Sequence, residues 1–190
     1  MTETASATSP QPVVIVLASG RGERFAASGG TVHKLRAPLE GVPVLERTLA
    51  AVRASGLPWH LEDAGHPGMG DSIAAAVRAT RGAPGWLVLP GDLPLVQPAT
   101  LRAVAAALAG APAVVPVFEG RRGHPVAFGP ACGAALAGLS GPQGAAAVLR
   151  PLAVRELPVD DIGCVTDIDT LDDLAEAARR LRTRGPGAPA

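Results

Sequence analysis

Short apolar segments alternate with helical segments along most of the chain, and this alternation restricts the fold more than any other feature of the sequence. Strands are predicted at 13–17, 85–92, 113–118, 124–129 and 152–157. Helices are predicted at 43–56, 71–80, 98–110 and 170–182, with shorter helical stretches near 130–138 and 143–149. Alternating strands and helices are typical of a mostly parallel sheet covered on both faces. We therefore expect an α/β fold of three layers, with a local antiparallel hairpin at 113–129.

Length and composition indicate one globular domain. The chain has 190 residues, of which 47% are hydrophobic and 18% charged. A chain of this kind can bury a core, so general disorder is not expected. We expect the domain to span 13–183, between a disordered N-terminal tail at 1–12 and a flexible C-terminal tail at 184–190.

Charge and hydropathy argue against two classes of partner. Lys plus Arg and Asp plus Glu number 17 each, so no overall positive field attracts nucleic acid. No apolar stretch approaches the ~18 residues of a membrane-spanning helix, and the N-terminal residues do not have the pattern of a signal peptide. We expect a cytoplasmic protein that binds neither nucleic acid nor a membrane.

The first strand leads directly into a loop of small and basic residues, ASGRGERF. Phe25 stands where the dinucleotide fingerprint GxGxxG needs its third glycine, and the GK[ST] of a P-loop is absent. Small residues allow backbone N–H groups to approach an anion closely, and Arg21, Arg24 and Lys34 add positive charge. A phosphate group would suit such a loop, although an ordinary solvated turn explains the same residues.

Asp92 follows a buried strand and is held between Gly91 and the rigid Leu93-Pro94. A carboxylate in this position suits Mg²⁺, which binds one or two carboxylates and completes its shell with water and phosphate oxygens. The alternative is a turn aspartate that caps the next segment. The combination with the proline favours the metal ligand.

Two more carboxylates, Asp167 and Asp169, precede the closing helix. Alternation along an extended chain puts both on the same side, and one of them is a candidate for a second metal ligand. Asp172 and Asp173 follow in the first helical turn, where the helix dipole accounts for them. A loop carboxylate beside the helix cap is the alternative, and it explains Asp169 better than Asp167.

Two further segments carry groups that could contact a ligand. In HPGMGDS, Gly68 and Gly70 lie at the start of a helix, where backbone N–H groups bind anions or base edges. Ser72 in the same segment is either a ligand contact or a helix cap. In GRRGHP, a basic turn precedes His124, which is either a substrate contact or a structural histidine.

Five motifs in a fixed order resemble those of the MobA-like NTP transferases. They are LASGRGERF with a later lysine, GMGDSI, LPGDLPLV, RGHPVAF and DIDTLDDL. The resemblance runs from Val13 to about Leu181, and the branch of molybdenum cofactor cytidylyltransferases is the most similar. It implies a single Rossmann-like domain of the glycosyltransferase-A type. It also implies Mg²⁺-dependent transfer of CMP from CTP to the phosphate of molybdopterin, with release of pyrophosphate.

The resemblance also implies roles for individual residues. Arg24 and Lys34 would hold the triphosphate, and together with Asp92 they form the expected catalytic set. Asp92 and Asp167 would bind Mg²⁺. The expected nucleotide-binding residues are Leu17, Ala18, Ser19, Gly20, Arg21, Gly22, Gly68, Gly70 and Ser72.

Several features keep other functions open. The RGHPV turn favours CTP over GTP, but Ser19 matches neither the cytidylyl nor the guanylyl branch. The family's usual GDxGAR reads GPQGAA at 141–146, and the second strand is short. The alternatives are a guanylyltransferase, an enzyme for another phosphorylated acceptor, or a non-catalytic chaperone that binds nucleotide or molybdenum cofactor and serves a molybdoenzyme partner.

Overall fold

Within the described residues, 10–184, seven strands form a mixed sheet at the centre of the computed structural model, and two short strands form a separate small sheet. The strands of this range are β1 (Val13–Leu17), β2 (Pro38–Leu39), β3 (Val42–Pro43), β4 (Trp59–Glu62), β5 (Trp86–Pro90), β6 (Ala113–Phe118), β7 (Arg121–Arg122), β8 (Val126–Phe128) and β9 (Val154–Pro158).

The sheet confirms the expectation of a mostly parallel arrangement with a local antiparallel element. Its order is β4-β1-β5-β8-β6-β7, and β9 also pairs with β6. β1 is parallel to both β4 and β5, and β6 is parallel to β9. β8 runs antiparallel to both of its neighbours, β5 and β6, and β7 is antiparallel to β6. The antiparallel strand β8 therefore lies inside the sheet, between β5 and β6.

The helices follow the predicted pattern closely. In the described range they are α1 (Glu23–Ala27), α2 (Val44–Ser55), α3 (Met69–Ala79), α4 (Pro98–Ala107), α5 (Gly133–Ala137), α6 (Ala146–Leu149) and α7 (Leu171–Arg184). α2 begins after Pro43 and ends at Gly56, which has the left-handed φ of 73°. Thr170 caps α7, because its hydroxyl accepts the Asp173 N–H at 3.2 Å.

Several boundaries differ from the sequence prediction, among them those of α3, of α4 and of the turn before β7. α3 begins at Met69, two residues early, because Gly68 caps it with extended backbone and the Asp71 carboxylate instead accepts the Gly141 N–H at 2.9 Å. The turn predicted at 120–123 is displaced to Glu119 and Gly120, which have φ of 48° and 77°. α4 ends at Ala107, before the predicted end at 110.

Helices cover both faces of the sheet, which gives the three predicted layers. Strand β1 is buried throughout its centre, as expected for a parallel strand with both faces covered. On one face, Leu49 and Val52 of α2 pack with Leu101 and Val104 of α4. On the other face, the core includes residues from α3 and α5, among them Ile73, Val77 and Leu136.

The predicted tails lie almost wholly outside the described residues. Of 1–12, only residues 10–12 are described, and of 184–190 only Arg184, which ends α7. Among residues 10–184, no helix is both long and apolar enough to cross a bilayer.

Candidate functional site

Two neighbouring cavities open at the edge of the sheet where β1 and β5 end. The first has a volume of about 360 Å³ and the second about 460 Å³. Both are lined by Lys34, Met69, Pro90 and Asp92. The cavities therefore meet at one ammonium group and one carboxylate, both predicted from the sequence.

The first cavity is built by the loop after β1 and the beginning of α3. Its wall includes six of the predicted nucleotide-binding residues: Leu17, Ser19, Gly20, Arg21, Gly68 and Ser72. His66, Pro67 and Pro142 complete the side formed by α3 and the 141–146 segment. This wall combines backbone-rich loops with apolar side chains, as expected for a small-molecule site.

The second cavity has a strongly charged wall. It is lined by four cationic side chains, Arg24, Lys34, Arg121 and Arg122, and by three carboxylates, Asp92, Asp167 and Asp169. His124 lies in the same wall. A site of this kind suits phosphate groups, because guanidinium groups bind phosphate oxygens in bidentate geometry.

Lys34 lies between two carboxylates. Its Nζ donates to Asp92 Oδ2 at 2.6 Å and to Asp169 Oδ1 at 2.8 Å. The Lys34 and Asp92 side chains are only 12% and 15% exposed. Arg24 approaches the same carboxylate from the solvent side, and its Nη1 lies 2.7 Å from Asp169 Oδ2. The Arg24 side chain is 80% exposed. The predicted catalytic side chains are thus brought together, with Asp169 linking them.

The charges around Lys34 shift two pKa values. Burial alone would lower the pKa of Lys34, but the charge of Asp92 and the hydrogen bonds that Lys34 donates to both carboxylates outweigh it and raise that pKa. The hydrogen bond from Lys34 lowers the pKa of Asp169, and Arg24 adds to the effect. Both groups are therefore charged at neutral pH.

Asp92 is fixed by backbone contacts on both sides. The Gly91 N–H donates to Leu17 O at 2.9 Å, and the Ile168 N–H donates to Asp92 O at 3.0 Å. The second contact holds the segment of Asp167 and Asp169 against the end of β5. Asp92 Oδ1 is buried and has no hydrogen-bond partner among residues 10–184. An oxygen of this kind fits a hard cation such as Mg²⁺.

The described residues supply few metal ligands. Within 10–184 no group of three or more His, Cys, Asp or Glu side chains is arranged to hold a metal ion. Asp92 and Asp167 do line the same cavity. Two carboxylates match the mode in which Mg²⁺ binds a protein together with substrate phosphates.

His124 enters the second cavity from the start of β8. Its Nδ1 is buried without a hydrogen-bond partner among the described residues. Burial lowers the pKa of His124, although the charges of Asp92 and Asp167 act in the opposite direction. The ring is therefore neutral at neutral pH.

The loop after β1 is held by contacts that the sequence did not indicate. Ala18 was predicted to contact the nucleotide, but its N–H donates to Glu62 O at 2.8 Å and is therefore already used within the protein. The Ser19 hydroxyl donates to the same carbonyl at 3.3 Å. His33 Nε2 contacts Gly20 O at 2.7 Å, which ties the loop to the residue before Lys34. Gly22 has φ of 66°, and a Cβ at this position would lie 3.4 Å from the Lys34 side chain.

The start of α3 packs directly on the 141–146 segment. The Gly70 N–H donates to Gly141 O at 2.8 Å, so it faces protein and not the cavity. A Cβ on Gly68 would lie 2.4 Å from Gly141 C, which explains the need for glycine there. Ser72 Oγ donates to Gly68 O at 3.2 Å inside the helix, while the residue also lines the first cavity.

Sequence reasoning missed two kinds of site residue. Asp169 was interpreted as a loop carboxylate beside the helix cap, yet its side chain binds Lys34 and Arg24. Its position in VTDIDT beside Asp167 was the available signal. The contact of Glu62 with His66 at 3.1 Å was also missed, and the only signal was polar residues at the end of a strand.

A sequence model described as the MobA-like NTP transferase domain matches residues 48–158, more than half of the chain. The matched range contains Asp92 and His124. Arg24, Lys34 and Asp167 lie outside it.

Curated relatives match shorter parts of the chain. The 2-C-methyl-D-erythritol 4-phosphate cytidylyltransferase of Frankia casuarinae is 37% identical over 132 residues, which cover 57% of this chain and 48% of that protein. The bifunctional protein GlmU of Coxiella burnetii is 32% identical over 113 residues, covering 48% of this chain and 24% of that protein. The matches thus span half or less of the length of these relatives.

Solved structures match almost the whole chain. Rv0371c from Mycobacterium tuberculosis has a TM-score of 0.76 at 27% identity, covering 90% of this chain and 99% of that one. Its complex with manganese gives 0.70 at 24% identity, with 89% and 98% covered. Molybdopterin-guanine dinucleotide biosynthesis protein A from Archaeoglobus fulgidus gives 0.65 at 22%, with 90% and 99% covered. The last two matches show a shared fold.

Proposed function

The chain belongs to the MobA-like NTP transferase family of nucleotidyltransferases, and we propose that it transfers CMP from CTP to the phosphate of molybdopterin. The single observation that carries this proposal is the pair of cavities that meet at Lys34 and Asp92. Two substrates bound in adjoining cavities would have their phosphates next to each other at this junction. The proposed reaction needs this arrangement.

The first cavity is proposed to bind CTP. Glycines in its wall allow close approach of backbone N–H groups, and Arg21 and Lys34 bring positive charge. The triphosphate would lie toward Lys34, with Arg24 on its outer side. The apolar part of the wall, near Pro67 and Pro142, is left for the base.

The second cavity is proposed to bind the phosphorylated acceptor. An acceptor phosphate oxygen would attack the α-phosphorus of CTP, and the bond to the β-phosphate would break with release of pyrophosphate. A phosphate monoester has a second pKa of ~6, so at neutral pH it is mostly a dianion and needs no general base. The protein's task is to hold two anions together, which Lys34 and the arginines of the wall can do.

Asp92 and Asp167 are proposed to hold Mg²⁺. The buried and unpartnered Oδ1 of Asp92 supports this assignment, and the manganese complex of Rv0371c supports a divalent ion in the fold. The bound ion would stabilise the negative charge that develops on the departing pyrophosphate.

The choice of substrates follows from the named relatives and from one turn of the sequence. A relative named as a cytidylyltransferase favours CTP, in agreement with the RGHPV turn. The structural similarity to a molybdopterin-guanine dinucleotide biosynthesis protein favours a molybdopterin acceptor. Another phosphorylated acceptor or GTP would leave the roles of Lys34 and Asp92 unchanged.

Pyrophosphate release tests the proposal. We expect Mg²⁺-dependent release with molybdopterin and CTP, and loss of more than about 100-fold in kcat for Asp92→Asn, since the substitution removes both the charge and a metal ligand. The control is Asp160→Asn, which alters an exposed carboxylate outside both cavities. Full activity of Asp92→Asn would overturn the mechanism.

The same assay separates the remaining candidates. Turnover with GTP alone would identify a guanylyltransferase, and turnover only with other phosphorylated acceptors would change the acceptor. Tight binding of nucleotide without turnover, for every nucleotide and acceptor, would favour a non-catalytic chaperone that serves a molybdoenzyme.

A further inference from the structure

A buried carboxylate with two histidines lies behind the first cavity. Glu62, the last residue of β4, is only 7% exposed. His66 Nε2 lies 3.1 Å from its Oε1, and His60 Nε2 lies 3.5 Å from its Oε2. The Ala64 N–H also donates to Oε1 at 3.2 Å. The proposed reaction uses none of these side chains.

Of the two histidines, the described wall of the first cavity includes His66 but not His60. Near His66 the wall is apolar, with Pro67, Met69 and Pro142, whereas Lys34 and Asp92 supply its charged part. A bound nucleoside triphosphate would direct its phosphates to the charged part. Its base would then lie against the apolar part, within reach of the imidazole.

The contact with Glu62 fixes which hydrogen-bonding group His66 offers. A carboxylate only accepts hydrogen bonds, so Nε2 must carry the hydrogen. In the neutral ring Nδ1 is then a lone-pair acceptor. An acceptor attracts an exocyclic amino group and repels a carbonyl oxygen at the same position. Cytosine and uracil differ in this respect, with an amino group or a carbonyl at the 4-position.

We infer that His66, oriented by Glu62, accepts a hydrogen bond from the 4-amino group of cytosine and selects CTP over UTP. This assignment rests on the proposed binding of a nucleoside triphosphate in the first cavity. His66 is the contact residue for the base. Glu62 is a positioning residue, because it acts by fixing the tautomer of His66.

Calorimetric titration of the full chain with CTP, UTP and GTP in the presence of Mg²⁺ tests the inference. All titrations are made at the same pH and salt concentration. Wild-type protein should bind CTP at least about tenfold more tightly than UTP, the effect of one hydrogen bond replaced by an unsatisfied group. His66→Gln should bring the two affinities to within about twofold, because an amide offers either a donor or an acceptor.

His60→Gln is the matched control, since it makes the same change at the other histidine that touches Glu62. It should keep the wild-type ratio of CTP to UTP affinity. Glu62→Gln should lower the ratio while both nucleotides still bind, because its amide N–H₂ can donate to Nε2 and permit the opposite tautomer of His66. A merely structural role for Glu62 would change both affinities equally. If His66→Gln does not fold, His66→Ala replaces it and should also lower the ratio.

The outcomes separate this inference from the proposed function. An unchanged ratio in a folded His66 variant overturns the role of His66 while nucleotide binding stands. Equal affinity of wild-type protein for CTP and UTP, or a preference for GTP, does the same. If wild-type protein binds none of the three nucleotides, both the inference and the proposed function fail.

Discussion

Lys34 carries a positive charge into a confined space between Asp92 and Asp169. The ammonium group and the two carboxylates compensate one another in this partly buried place. Removing one member of such a partly buried ion pair lowers the free energy of unfolding by more than the intact pair contributes. The remaining charge is then left without a compensating charge. Arg24 makes an equally short contact with Asp169, but from a side chain that is 80% exposed, where an ion pair contributes little.

Lys34→Gln should therefore lower the free energy of unfolding by about 2 to 3 kcal/mol, whereas Arg24→Gln should change it by less than about 1 kcal/mol. Urea denaturation of both variants measures the difference. In the double variant Lys34→Gln/Asp169→Asn, part of the loss should be regained, since one uncompensated carboxylate is gone. Equal effects of the two single variants would contradict the central position of Lys34.

Cys164 has a buried thiol beside the second cavity. Burial, with the charge of Asp161, raises its pKa from the ordinary 9.0 to about 11. A raised pKa in a thiol means that the reactive thiolate is scarce below that value and increases as the pH rises through it. Free access to solvent would give the ordinary pKa instead.

In a Cys132→Ser variant, alkylation of Cys164 by iodoacetamide should be slow near pH 8 and should reach half its maximal rate near pH 11. The rate is followed by mass spectrometry. The control is the same variant unfolded in urea, where the thiol should react at its ordinary pKa. Fast reaction of the folded protein near pH 8 would show that the thiol is not buried.

Among the elements, the Asp161 carboxylate connects the start of α4 to the segment before α7. Asp161 is 2% exposed. Its Oδ2 accepts the Gln97 N–H at 2.9 Å and the Thr100 hydroxyl at 2.7 Å, at the start of α4. Its Oδ1 accepts the Gly163 N–H at 2.9 Å. This connection fixes the chain shortly before Asp167 and Asp169.

Asp161→Asn should destabilise the fold by about 2 kcal/mol, because the amide nitrogen cannot accept a hydrogen bond and faces a buried donor. Asp160→Asn, at the exposed neighbouring position, should leave stability unchanged. Thermal unfolding of the two variants makes the comparison. A similar midpoint for both would mean that Asp161 does not hold the two elements together.

Element boundaries were predictable where local chemistry determines them. Pro43 and Gly56 bracket α2, and Thr170 caps α7, because these signals act within a few residues. The start of α3 was not predictable, since Asp71 is a good cap by its type but binds Gly141, 70 residues further along the chain. Only the packing of the 141–146 segment on α3 decides between these two uses.

At the scale of the whole molecule, alternation was enough to predict the layers and the edge of the sheet where the site lies. It also indicated Asp92, because a carboxylate directly after a buried strand is poorly explained as core. Lys34 was expected only as added positive charge for the loop and from the family resemblance. It did not indicate that Asp169 binds Lys34, a contact across 135 residues. The contact of Glu62 with His66 depends on how the chain turns between β4 and α3, which has no local signal.

The reversed direction of β8 brings one hairpin into the wall of the second cavity but not into that of the first. Val126, at the start of β8, lies beside Val88 in β5, so the start of β8 and the residues just before it lie near the edge where β5 ends. Arg121, Arg122 and His124 thus come from one continuous hairpin, whereas the other charged residues of the second cavity come from separate segments. We expect substitutions in this hairpin to change which molecule the second cavity accepts without changing the first cavity.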